Sequence, residues 1–560
     1  MSNDIAIIGI AGRFPMANSV NEFWDNLISK KECIARESSL KEGFIKAKGM
    51  IPEIGQSVGE FFGLSAEEKK YADPQLLALL QTSYEALEDS GYHFDDDNNL
   101  TGVFISAGSS FNWRKQVFDS GDLNNIKQQK LTYFMEEHYY STQLSYRLNL
   151  KGPSLCIMAS CASSLVCIHQ ASQALLLNEC DIALAGSAYI DNTDEKGYYY
   201  DPDYIYSKDG ICRSFCADSS GTVPGNGVGI VILKLLENAI DSGDLIYGVI
   251  KGSAVNNDGS EKLSFTSPTV EGISEVVNTA IEIAEIEAEE MNFIETHGTG
   301  TPLGDMVEFE ALKESFSEGF GGMENYCLLG ALKPNIGYLE AASGIASFIK
   351  ASLSVYRKLY PANINITKIN DKLELEASPF LIEKEHTVFH VQPVTGAVVA
   401  YADGGTNACV LLQSAVQKKA VNFNEKCYFL TFSAKNTESL EKYLDKMCAH
   451  LSAEEIDLDN AEYTLNFRRS QYPYACGVIC LDKADLIRKL SLREVFYRQK
   501  AKFGENEIIR LTSVNYKTVD EQLEFFREIR DEWLKGKKID WSAYYAKEGY
   551  SNISLPTYVF

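Results

Sequence analysis

The chain has 560 residues, 45% of them hydrophobic and 23% charged, with a formal net charge of −26. This length exceeds one ordinary hydrophobic core, so two or more domains are expected. The negative charge argues against a surface that binds nucleic acid or an anionic membrane. No apolar run is long enough to span a bilayer, no signal peptide is evident, and the 13 cysteines show no disulfide framework. We therefore expect a cytoplasmic protein.

Residues up to 412 alternate between apolar runs and amphipathic segments, which is typical of layered α/β domains. Strands are predicted at 5–10, 102–107, 181–187, 230–235, 245–254, 291–295, 328–332, 396–400 and 408–412. Helices are predicted at 20–29, from 74, 141–150, from about 161, 270–286, 306–316 and from 341. The glycine-rich segment 221–229 lacks the Gly-Lys-Ser/Thr of a phosphate loop, so a tight turn is favoured there.

The character of the sequence changes near residue 413. Residues 413–426 are polar and predict a linker, and strands at 428–433 and 476–481 around a helix at 437–451 predict a small α/β module. The chain ends in Leu-Pro-Thr-Tyr-Val-Phe, where the proline at 556 excludes helix. We expect this end to be an extended strap.

One cysteine lies among small residues where an apolar helix is predicted to begin. Cys161 is preceded by Met-Ala-Ser and followed by Ala-Ser-Ser. The unpaired N–H groups and the dipole at a helix N-terminus favour a thiolate, which is the nucleophilic form. A lone cysteine is also commonly a small core residue. This stretch by itself therefore leaves catalysis and packing both open.

Two later motifs resolve that choice. They are His297-Gly-Thr-Gly-Thr and Lys333-Pro-Asn-Ile-Gly-Tyr. Together with Cys161 and the N-terminal Ile-Ala-Ile-Ile-Gly-Ile-Ala-Gly-Arg-Phe-Pro, they make residues 4–412 resemble the ketosynthase (β-ketoacyl synthase) domain of modular polyketide synthases. The resemblance implies that Cys161 is a nucleophile that accepts an acyl chain.

The resemblance also implies a fold. A thiolase-like α/β fold is expected for the ketosynthase domain, residues 1–412, with a pseudo-duplicated five-layer α/β/α/β/α core. Its first half would be about 1–245 and its second half about 246–412. Residues 413–560 resemble the post-ketosynthase linker, which would form a small α/β flanking subdomain that ends in the strap.

The roles of the site residues follow from the same resemblance. Cys161 would take the acyl chain from the phosphopantetheine thiol of an acyl carrier protein. His297 would polarise the thioester carbonyl of the extender unit, and Lys333 would orient the site. The amides of Cys161 and Asp403, the latter beside Gly404 in the gating loop, would form the oxyanion hole. Residues implied to bind substrate are Thr299, Thr301 and Asn335.

Two positions depart from the family pattern. Tyr338 stands where the family carries a second catalytic histidine, and Asp403 replaces the apolar side chain of a Gly-Phe-Gly-Gly loop. A phenol donates a hydrogen bond but does not titrate near neutral pH as an imidazole does. A carboxylate at Asp403 opposes developing negative charge unless it points away or is protonated. Smaller departures are Met158-Ala159-Ser160 for Asp-Thr-Ala, Asn226 for a glutamate, and Cys409 for a histidine.

The expected function is that of a ketosynthase-type acyltransferase of EC class 2.3.1 that moves an acyl chain through Cys161 without elongating it. One alternative is decarboxylative Claisen condensation with a malonyl-carrier protein, in which Tyr338 substitutes as the donor. Another is a specialised reaction of the bound acyl chain, such as cyclisation, conjugate addition or hydrolysis, run by Asp403 and Tyr338. The non-enzyme alternative is a scaffold that only docks carrier proteins.

No cofactor and no metal are expected, because the cysteines and histidines lack paired ligand spacing. The expected partners are acyl carrier proteins, a second copy of the chain in a homodimer, and a trans-acting acyltransferase system, since no acyltransferase sequence is present. A local basic run is predicted to dock an acidic carrier protein, although a solvated helix face is the alternative. This run comprises Arg488, Lys489, Arg493, Arg498, Lys500 and Lys502.

Overall fold

The computed structural model describes residues 3–52, 54, 57–92, 99–120, 131–193, 196–316, 325–415, 426–498, 508–511, 518–546 and 549–560. They form two compact units. Unit 1 comprises Met1–Ser83, Asp97–Glu237 and Ile246–Val416, and unit 2 comprises Tyr84–Asp96, Asn238–Leu245 and Gln417–Phe560. Unit 2 thus includes two short segments that the sequence assigns to the first domain. Most of the predicted linker 413–426 lies outside the described residues.

The strands are β1 Ile5–Arg13, β2 Ile34–Arg36, β3 Phe44–Ile45, β4 Ala47–Gly49, β5 Thr101–Ala107, β6 Ser154–Cys156, β7 Ile182–Tyr189, β8 Tyr198–Tyr199, β9 Gly227–Leu235, β10 Gly248–Asn257, β11 Phe293–Glu295, β12 Cys327–Gly330, β13 Leu359–Tyr360, β14 Phe380–Leu381, β15 Thr387–Val388, β16 Thr395–Tyr401, β17 Thr406–Gln413, β18 Tyr428–Ala434, β19 Tyr474–Cys480, β20 Phe496–Arg498, β21 Ile508–Arg510 and β22 Lys538–Asp540.

The α-helices are α1 Val20–Ile28, α2 Ser57–Phe61, α3 Ala66–Tyr71, α4 Pro74–Ser90, α5 Phe111–Asp119, α6 Tyr140–Arg147, α7 Ser163–Leu176, α8 Leu236–Asp241, α9 Val270–Ala284, α10 Pro302–Ser315, α11 Lys333–Ile336, α12 Ser343–Arg357, α13 Thr437–Ala453, α14 Leu458–Phe467, α15 Lys483–Ser491 and α16 Val519–Leu534. Short 3₁₀ turns occupy Glu137–Tyr139, Ser160–Ala162, Ala288–Glu290, Glu340–Ala342, Asp371–Leu373 and Leu375–Ala377.

The central sheet of unit 1 contains one strand order twice. Its eleven strands run β14-β12-β11-β16-β17-β10-β1-β9-β7-β5-β6. Read outward from the middle, β1-β9-β7-β5-β6 matches β10-β17-β16-β11-β12, and the chain visits the five strands of each set in the same sequence. The antiparallel pair β1 and β10 joins the two sets. The strands therefore show the duplication that the resemblance implies.

Two equivalent helices fill the space between the halves. α7 and α12 pack on each other, and each contacts strands of both strand sets. They approach closely at Gly344, where an added Cβ would lie 2.8 Å from Ser164 Oγ. Both helices are mostly buried because their sequences are dominated by small and apolar residues. This buried helix pair positions the site, because a 3₁₀ turn precedes each helix.

Some helices and strands begin at residues other than the predicted ones, because proline or glycine residues near their ends set the backbone conformation there. α10 begins at Pro302 and not at Met306, since proline suits the first helical position. The strand predicted at 230 begins at Gly227, and the glycine-rich segment before it contacts another loop closely. A Cβ on Gly225 would lie 2.7 Å from the carbonyl oxygen of Ile336. These glycines therefore allow close backbone approach, in agreement with the predicted turn.

Unit 2 is a small α/β assembly. Its antiparallel sheet has the order β18-β19-β20, and β21 pairs with β22 in parallel. An aromatic core that includes Phe429, Phe526, Trp533 and Trp541 lies beneath it. The last six residues have neither helix nor strand, as predicted, and the Tyr558 ring is buried among other tyrosines of this unit. No helix in the described parts of the chain is long and apolar enough to cross a membrane.

Candidate active site

Cys161 lies in the 3₁₀ turn Ser160–Ala162, immediately before α7. Ser160 adopts φ 49°, in the left-handed region of backbone conformation that residues other than glycine rarely adopt. The amide of Ala159 donates to Ser163 Oγ over 2.8 Å and closes the turn. Only 4% of Cys161 is exposed. The structure thus places the thiol at a helix start, as predicted, in a tightly fixed and buried turn.

Two hydroxyl groups contact the thiol. The Tyr338 hydroxyl donates a short hydrogen bond to Cys161 Sγ, and Ser160 Oγ lies 3.5 Å from the same sulfur. Burial and the neighbouring thiol raise the pKa of Tyr338 well above its usual value, so it stays a neutral phenol. The residue that replaces the family's second histidine is therefore in direct contact with the nucleophile.

The predicted thiolate is wrong. Burial raises the pKa of the Cys161 thiol, and the carboxyl groups of Glu340 and Asp403 raise it further. The hydrogen bonds from Ser160 and Tyr338 lower the pKa but do not offset this effect. The helix-terminus argument considers only the backbone and omits acidic groups that the second half of the chain brings to the site. The resting cysteine is therefore a thiol near neutral pH.

Tyr338 is positioned by its backbone. Its amide donates to the carbonyl of Val223 over 2.7 Å, and its carbonyl accepts from the amide of Gly225 over 2.9 Å. The ammonium group of Lys333 lies 5.3 Å from the centre of the Tyr338 ring. The glycine-rich segment and α11 together hold the phenol ring in place.

His297 and Lys333 are buried side by side. His297 is 4% and Lys333 5% exposed, and the Lys333 ammonium donates to the His297 carbonyl. The His297 ring lies 5.9 Å from the Tyr338 ring in a perpendicular arrangement and 4.4 Å from the Tyr401 ring. Burial and Lys333 lower the pKa of His297 well below its usual range, so its imidazole is neutral. Lys333 is therefore not a solvated loop lysine.

Sequence analysis missed a carboxyl group that holds the His297 loop. Glu308 on α10 accepts the amides of His297 over 2.6 Å and of Gly298 over 2.8 Å. Its neighbour Asp305 accepts the amide of Gly300 over 2.9 Å. Burial raises the pKa of both carboxyl groups to about 7. The signal was available, because Asp305 and Glu308 are three residues apart and share one helix face.

A buried ion pair ties the same loop to α12. Lys350 Nζ lies 2.7 Å from Glu295 Oε2, and both side chains are at most 2% exposed. The Tyr360 hydroxyl donates to the same carboxylate over 2.5 Å. Because Glu295 ends β11 two residues before His297, this pair fixes where the histidine loop begins.

The three predicted substrate-binding residues have other partners in this structure. Thr299 Oγ1 and Thr301 Oγ1 lie 2.8 Å apart and bond to each other. The Asn335 side-chain amide donates to the Lys31 carbonyl over 3.1 Å, and the residue is 2% exposed. The Asn335 amide thus has a backbone partner, and substrate binding by these three residues stays a prediction.

The loop that contains Asp403 is held through its backbone. The Gly404 amide donates to the Phe265 carbonyl over 3.0 Å, and the Gly404 carbonyl accepts from Asn257 Nδ2 over 3.0 Å. Asp403 itself is exposed, and partial burial raises its carboxyl pKa although Lys262 lowers it. Within the described residues, the amide of Asp403 donates to no other group. That amide is therefore available to a ligand, as an oxyanion hole requires.

Glu340 is a second acidic group that sequence analysis missed. It begins the 3₁₀ turn Glu340–Ala342, with φ 47°. This turn packs against the Cys161 turn, with Cα atoms within 8 Å of each other. Burial and the carboxylates of Asp403 and Asp191 raise the pKa of Glu340 to about 7.

The described members of the predicted basic docking run have acidic or aromatic partners within the chain. Arg488 pairs with Asp485 over 2.9 Å, Lys489 with the same carboxylate over 2.8 Å, and Arg493 with Asp445 over 2.6 Å. Arg498 is 3% exposed, and its guanidinium lies 4.7 Å from the centre of the Trp533 ring. Asp485 on the same helix and Asp445 on another helix pair with these cations, and docking of a carrier protein by this run stays a prediction. Lys500 and Lys502 lie outside the described residues.

In the part of the chain that the structure describes, no three His, Cys, Asp or Glu residues are grouped as metal ligands would be. The geometry instead brings together one buried thiol, one phenol, a neutral imidazole and a buried ammonium. A thiol in contact with a donor, beside an amide with no internal partner, can form a thioester and stabilise the oxyanion that precedes it.

Comparisons with known proteins agree with this geometry. Residues 2–239 match the family Beta-ketoacyl synthase, N-terminal domain, and residues 247–367 match Beta-ketoacyl synthase, C-terminal domain. Residues 428–490 match CurL-like, PKS C-terminal. A phenolphthiocerol/phthiocerol polyketide synthase from Mycobacterium tuberculosis is 33% identical over 90% of this chain and 36% of its own length. Polyketide synthase PksN of Bacillus subtilis is 30% identical over 100% of this chain and 11% of its own length.

Solved structures extend the likeness to the whole chain. Ketosynthase twelve from the bacillaene polyketide synthase of Bacillus amyloliquefaciens is 28% identical, with a TM-score of 0.88, and the match covers 100% of this chain and 98% of that one. The ketosynthase from module 1 of the bacillaene synthase is 30% identical over the same shares, with a TM-score of 0.87. These matches confirm the predicted thiolase-like α/β fold. The chain spans about a third or less of the length of the two polyketide synthases. It belongs to the β-ketoacyl synthase family, as a ketosynthase domain of the modular polyketide synthase type.

Proposed function

We propose that this ketosynthase accepts an acyl chain from an acyl carrier protein onto Cys161 and passes it on without decarboxylative condensation. The observation that carries the proposal is the hydrogen bond from the Tyr338 hydroxyl to Cys161 Sγ. This bond supports the proposal because a phenol contacts the thiol from the position where the family resemblance implies a second imidazole. The buried thiol and the available amide of Asp403 support acylation.

Loss of condensation follows from what a phenol can do. Decarboxylation of a malonyl thioester places negative charge on the carbonyl oxygen, which needs positioned donors. Tyr338 has one O–H proton, and in the resting site this proton points to sulfur. His297 then remains as the one imidazole of the described site, and it is neutral. Acyl transfer needs the thiol and the oxyanion hole and does not need the missing histidine.

The test is intact-protein mass spectrometry with an acyl-pantetheine thioester, followed by malonyl-carrier protein. We expect an acyl adduct that is absent in Cys161→Ala, persists with the malonyl carrier, and is discharged by a carrier with an unloaded pantetheine thiol. Formation of a β-ketoacyl carrier would overturn the non-elongating assignment. Absence of any adduct would favour a docking scaffold.

The variant Tyr338→His tests whether Tyr338 causes the proposed loss of condensation. Tyr338→His restores an imidazole, so we expect this variant to consume malonyl-carrier protein after acylation. A Tyr338→His variant that acylates normally but still leaves the malonyl carrier intact would contradict the role given to Tyr338. Thermal melting of both proteins controls for folding.

The remaining expectations stay proposals. We propose that 1–412 is the ketosynthase domain, with halves near 1–245 and 246–412, and that 413–560 is the flanking linker. Acyl carrier proteins, a homodimer, a trans-acting acyltransferase, the absence of a cofactor and a cytoplasmic location are proposed on the same resemblance. All 13 cysteines are unpaired, which supports a reducing compartment. Sedimentation velocity would test the homodimer.

A further inference from the structure

The hydroxyl group of Ser160 has no assigned task in the site described above. Its Oγ lies 3.5 Å from Cys161 Sγ, within hydrogen-bond distance for sulfur, and forms no other hydrogen bond with the described residues. The family resemblance implies an alanine at this position, so the hydroxyl departs from the family pattern. Packing does not require a side-chain hydroxyl here, because Ser160 is exposed.

The backbone of the turn holds Ser160 against the sulfur. Its φ of 49° costs free energy in any residue other than glycine, and such strain is often found at functional sites. The Ser160 carbonyl accepts the Ser163 hydroxyl over 2.6 Å, and Ser163 Oγ accepts the amide of Ala159 over 2.8 Å. The turn therefore fixes the Ser160 backbone beside the thiol, and only rotation about one carbon–carbon bond moves its hydroxyl.

The thiol has two hydroxyl neighbours that differ in their access to solvent. Tyr338 is 4% exposed and donates its proton to Sγ, whereas Ser160 is exposed. Among the described residues, no other side chain forms a hydrogen bond with this sulfur. Because the phenol is a donor, Ser160 Oγ is the acceptor left for the hydrogen of the thiol. Ser160 thus connects a nucleophile that is itself only 4% exposed to the protein surface.

Acylation of a neutral thiol requires one proton to leave the attacking sulfur and one to reach the departing sulfur. Burial keeps Cys161 a thiol near neutral pH. A serine hydroxyl has one proton to donate and two lone pairs that accept. It can therefore receive a proton on one side while it releases its own on the other, and it gains no charge in the exchange.

We propose that the Ser160 hydroxyl is a catalytic proton shuttle for acyl transfer at Cys161, an inference that rests on the proposed acylation. As Sγ forms its bond to the carbonyl carbon of the incoming thioester, the thiol proton moves to Ser160 Oγ. The hydroxyl proton moves to the departing pantetheine sulfur as the carbon–sulfur bond to the carrier breaks. One thiol is consumed and one is released, the serine ends as a hydroxyl, and no other reactant is needed.

The alternative role for Ser160 is stabilisation of the thiolate by a hydrogen bond. Alkylation by iodoacetamide measures the thiolate present at equilibrium and needs no proton at a leaving sulfur. Loss of one hydrogen bond should slow alkylation of Cys161 at pH 7 by about tenfold or less. Under this alternative, acylation falls by the same factor as alkylation, whereas loss of a shuttle makes acylation fall much further.

Two variants remove the hydroxyl and differ in their backbone. Ser160→Ala keeps a side chain at φ 49°, whereas Ser160→Gly relieves this strain and is the variant to use if Ser160→Ala fails to fold. We expect both to acylate Cys161 from acyl-pantetheine about 10²-fold more slowly at pH 7, because a positioned acid–base group typically contributes about 10²–10⁴ in rate. Equal losses of acylation and alkylation would overturn the proposal.

The chain offers a matched control in a second contact between a serine and a cysteine. Ser491 Oγ lies 3.1 Å from Cys448 Sγ, and both residues belong to unit 2. Ser491→Ala removes a hydroxyl beside a thiol that takes no part in the proposed transfer. We expect this variant to acylate Cys161 like wild type, and a loss as large as that of the Ser160 variants would overturn the proposal.

The leaving group provides a second test. An acyl thiophenyl thioester releases an aromatic thiolate, which is stable enough to leave without a proton. With this donor, the loss of acylation in Ser160→Gly should shrink to the loss seen for alkylation. An equally large loss with both donors would contradict proton delivery by Ser160. Absence of an adduct in wild type with either donor would overturn the proposed function itself, whereas the other contrary results overturn the shuttle alone.

Discussion

The turn before α7 and the turn before α12 share one backbone and differ in their chemistry. Ser160–Ala162 begins at φ 49° and Glu340–Ala342 begins at φ 47°. Each leads into a serine, Ser163 or Ser343, whose hydroxyl accepts the amide four residues earlier, over 2.8 Å and 3.0 Å. The two turns thus occupy equivalent places in the duplicated strand order.

The difference between the turns lies in their side chains. Cys161 in the first turn corresponds to Ala341 in the second, and Ser160 corresponds to Glu340. Two residues before each turn begins stand Met158, which is 58% exposed, and Tyr338, which is 4% exposed and bonded to the thiol. The repeated backbone places both turns at one site, and the first then supplies the thiol while the second supplies the groups that act on it.

The largest expected difference between the halves is in stability. Lys350 on α12 pairs with buried Glu295, whereas the corresponding position of α7 is the exposed Gln170. Lys350→Met leaves a buried carboxylate without its cation, so we expect a loss of about 3–5 kcal/mol in the free energy of unfolding. Urea denaturation measures it, and Gln170→Met should change stability by less than about 0.5 kcal/mol. Similar small losses in both variants would remove this contrast.

The next effect depends on pH. The pKa of Glu340 rises from 4.5 to about 7 on folding, so between these values the folded chain binds more protons than the unfolded one. The contribution of Glu340 to stability therefore falls as pH rises. Glu340→Gln should match wild type near pH 4.5 and exceed it by roughly 3 kcal/mol at most near pH 8.

Denaturation curves at the two pH values test this effect. The matched Glu376→Gln should show no such divergence. A Glu340→Gln protein that is less stable than wild type at pH 8 would show that the carboxylate has a partner that stabilises its charge.

A smaller effect concerns the bond between the two turns. Tyr338→Phe removes the hydrogen bond to Cys161 Sγ, a contact that lowers the thiol pKa. We expect the thiol pKa to rise and alkylation by iodoacetamide to slow about tenfold at pH 7, which corresponds to one hydrogen bond of about 1.4 kcal/mol. The control is Tyr146→Phe, at a residue that is 81% exposed. Faster alkylation in Tyr338→Phe would contradict this geometry.

The smallest expected difference is between the contributions of Ser163 and Ser343, the serines that close the two turns, to stability. Ser163 Oγ accepts the Ala159 amide and also donates to the Ser160 carbonyl over 2.6 Å, whereas Ser343 Oγ accepts the Leu339 amide. We expect Ser163→Ala to lower stability by about 1–2 kcal/mol and Ser343→Ala by about 1 kcal/mol. Thermal unfolding of the two single variants would measure the difference. The reverse order would show that the hydroxyl of the second turn is the more important one.

The fold and the main site residues could be predicted because their signals are local in sequence. Apolar periodicity marked most strands and helices, and the motifs at Cys161, His297 and Lys333 pointed to one family. The structure places these three residues as buried groups around one site. Element ends were less predictable, since a proline at the first helical position set the start of α10 at Pro302.

The thiol pKa could not be predicted in this way because its causes are distant in sequence. Glu340 and Asp403 lie in the second half of the chain, and only folding brings them to Cys161. The partners of the basic run could not be predicted for a similar reason, since Arg493 pairs with Asp445 and Glu441 of another helix. Charge read along the chain describes a surface only when folding adds no opposite charges to it.

The Asp403 loop has a consequence for engineering. Its position depends on backbone bonds at Gly404, on the Asn257 side chain and on the Asp258 amide, and not on the carboxylate of Asp403. Residue 403 can therefore be exchanged in a library without loss of the loop's shape, with the amide at that position kept in place. Each exchange would alter the charge and bulk beside the amide of residue 403, which makes this single codon a convenient place to test which acyl groups the proposed transfer accepts.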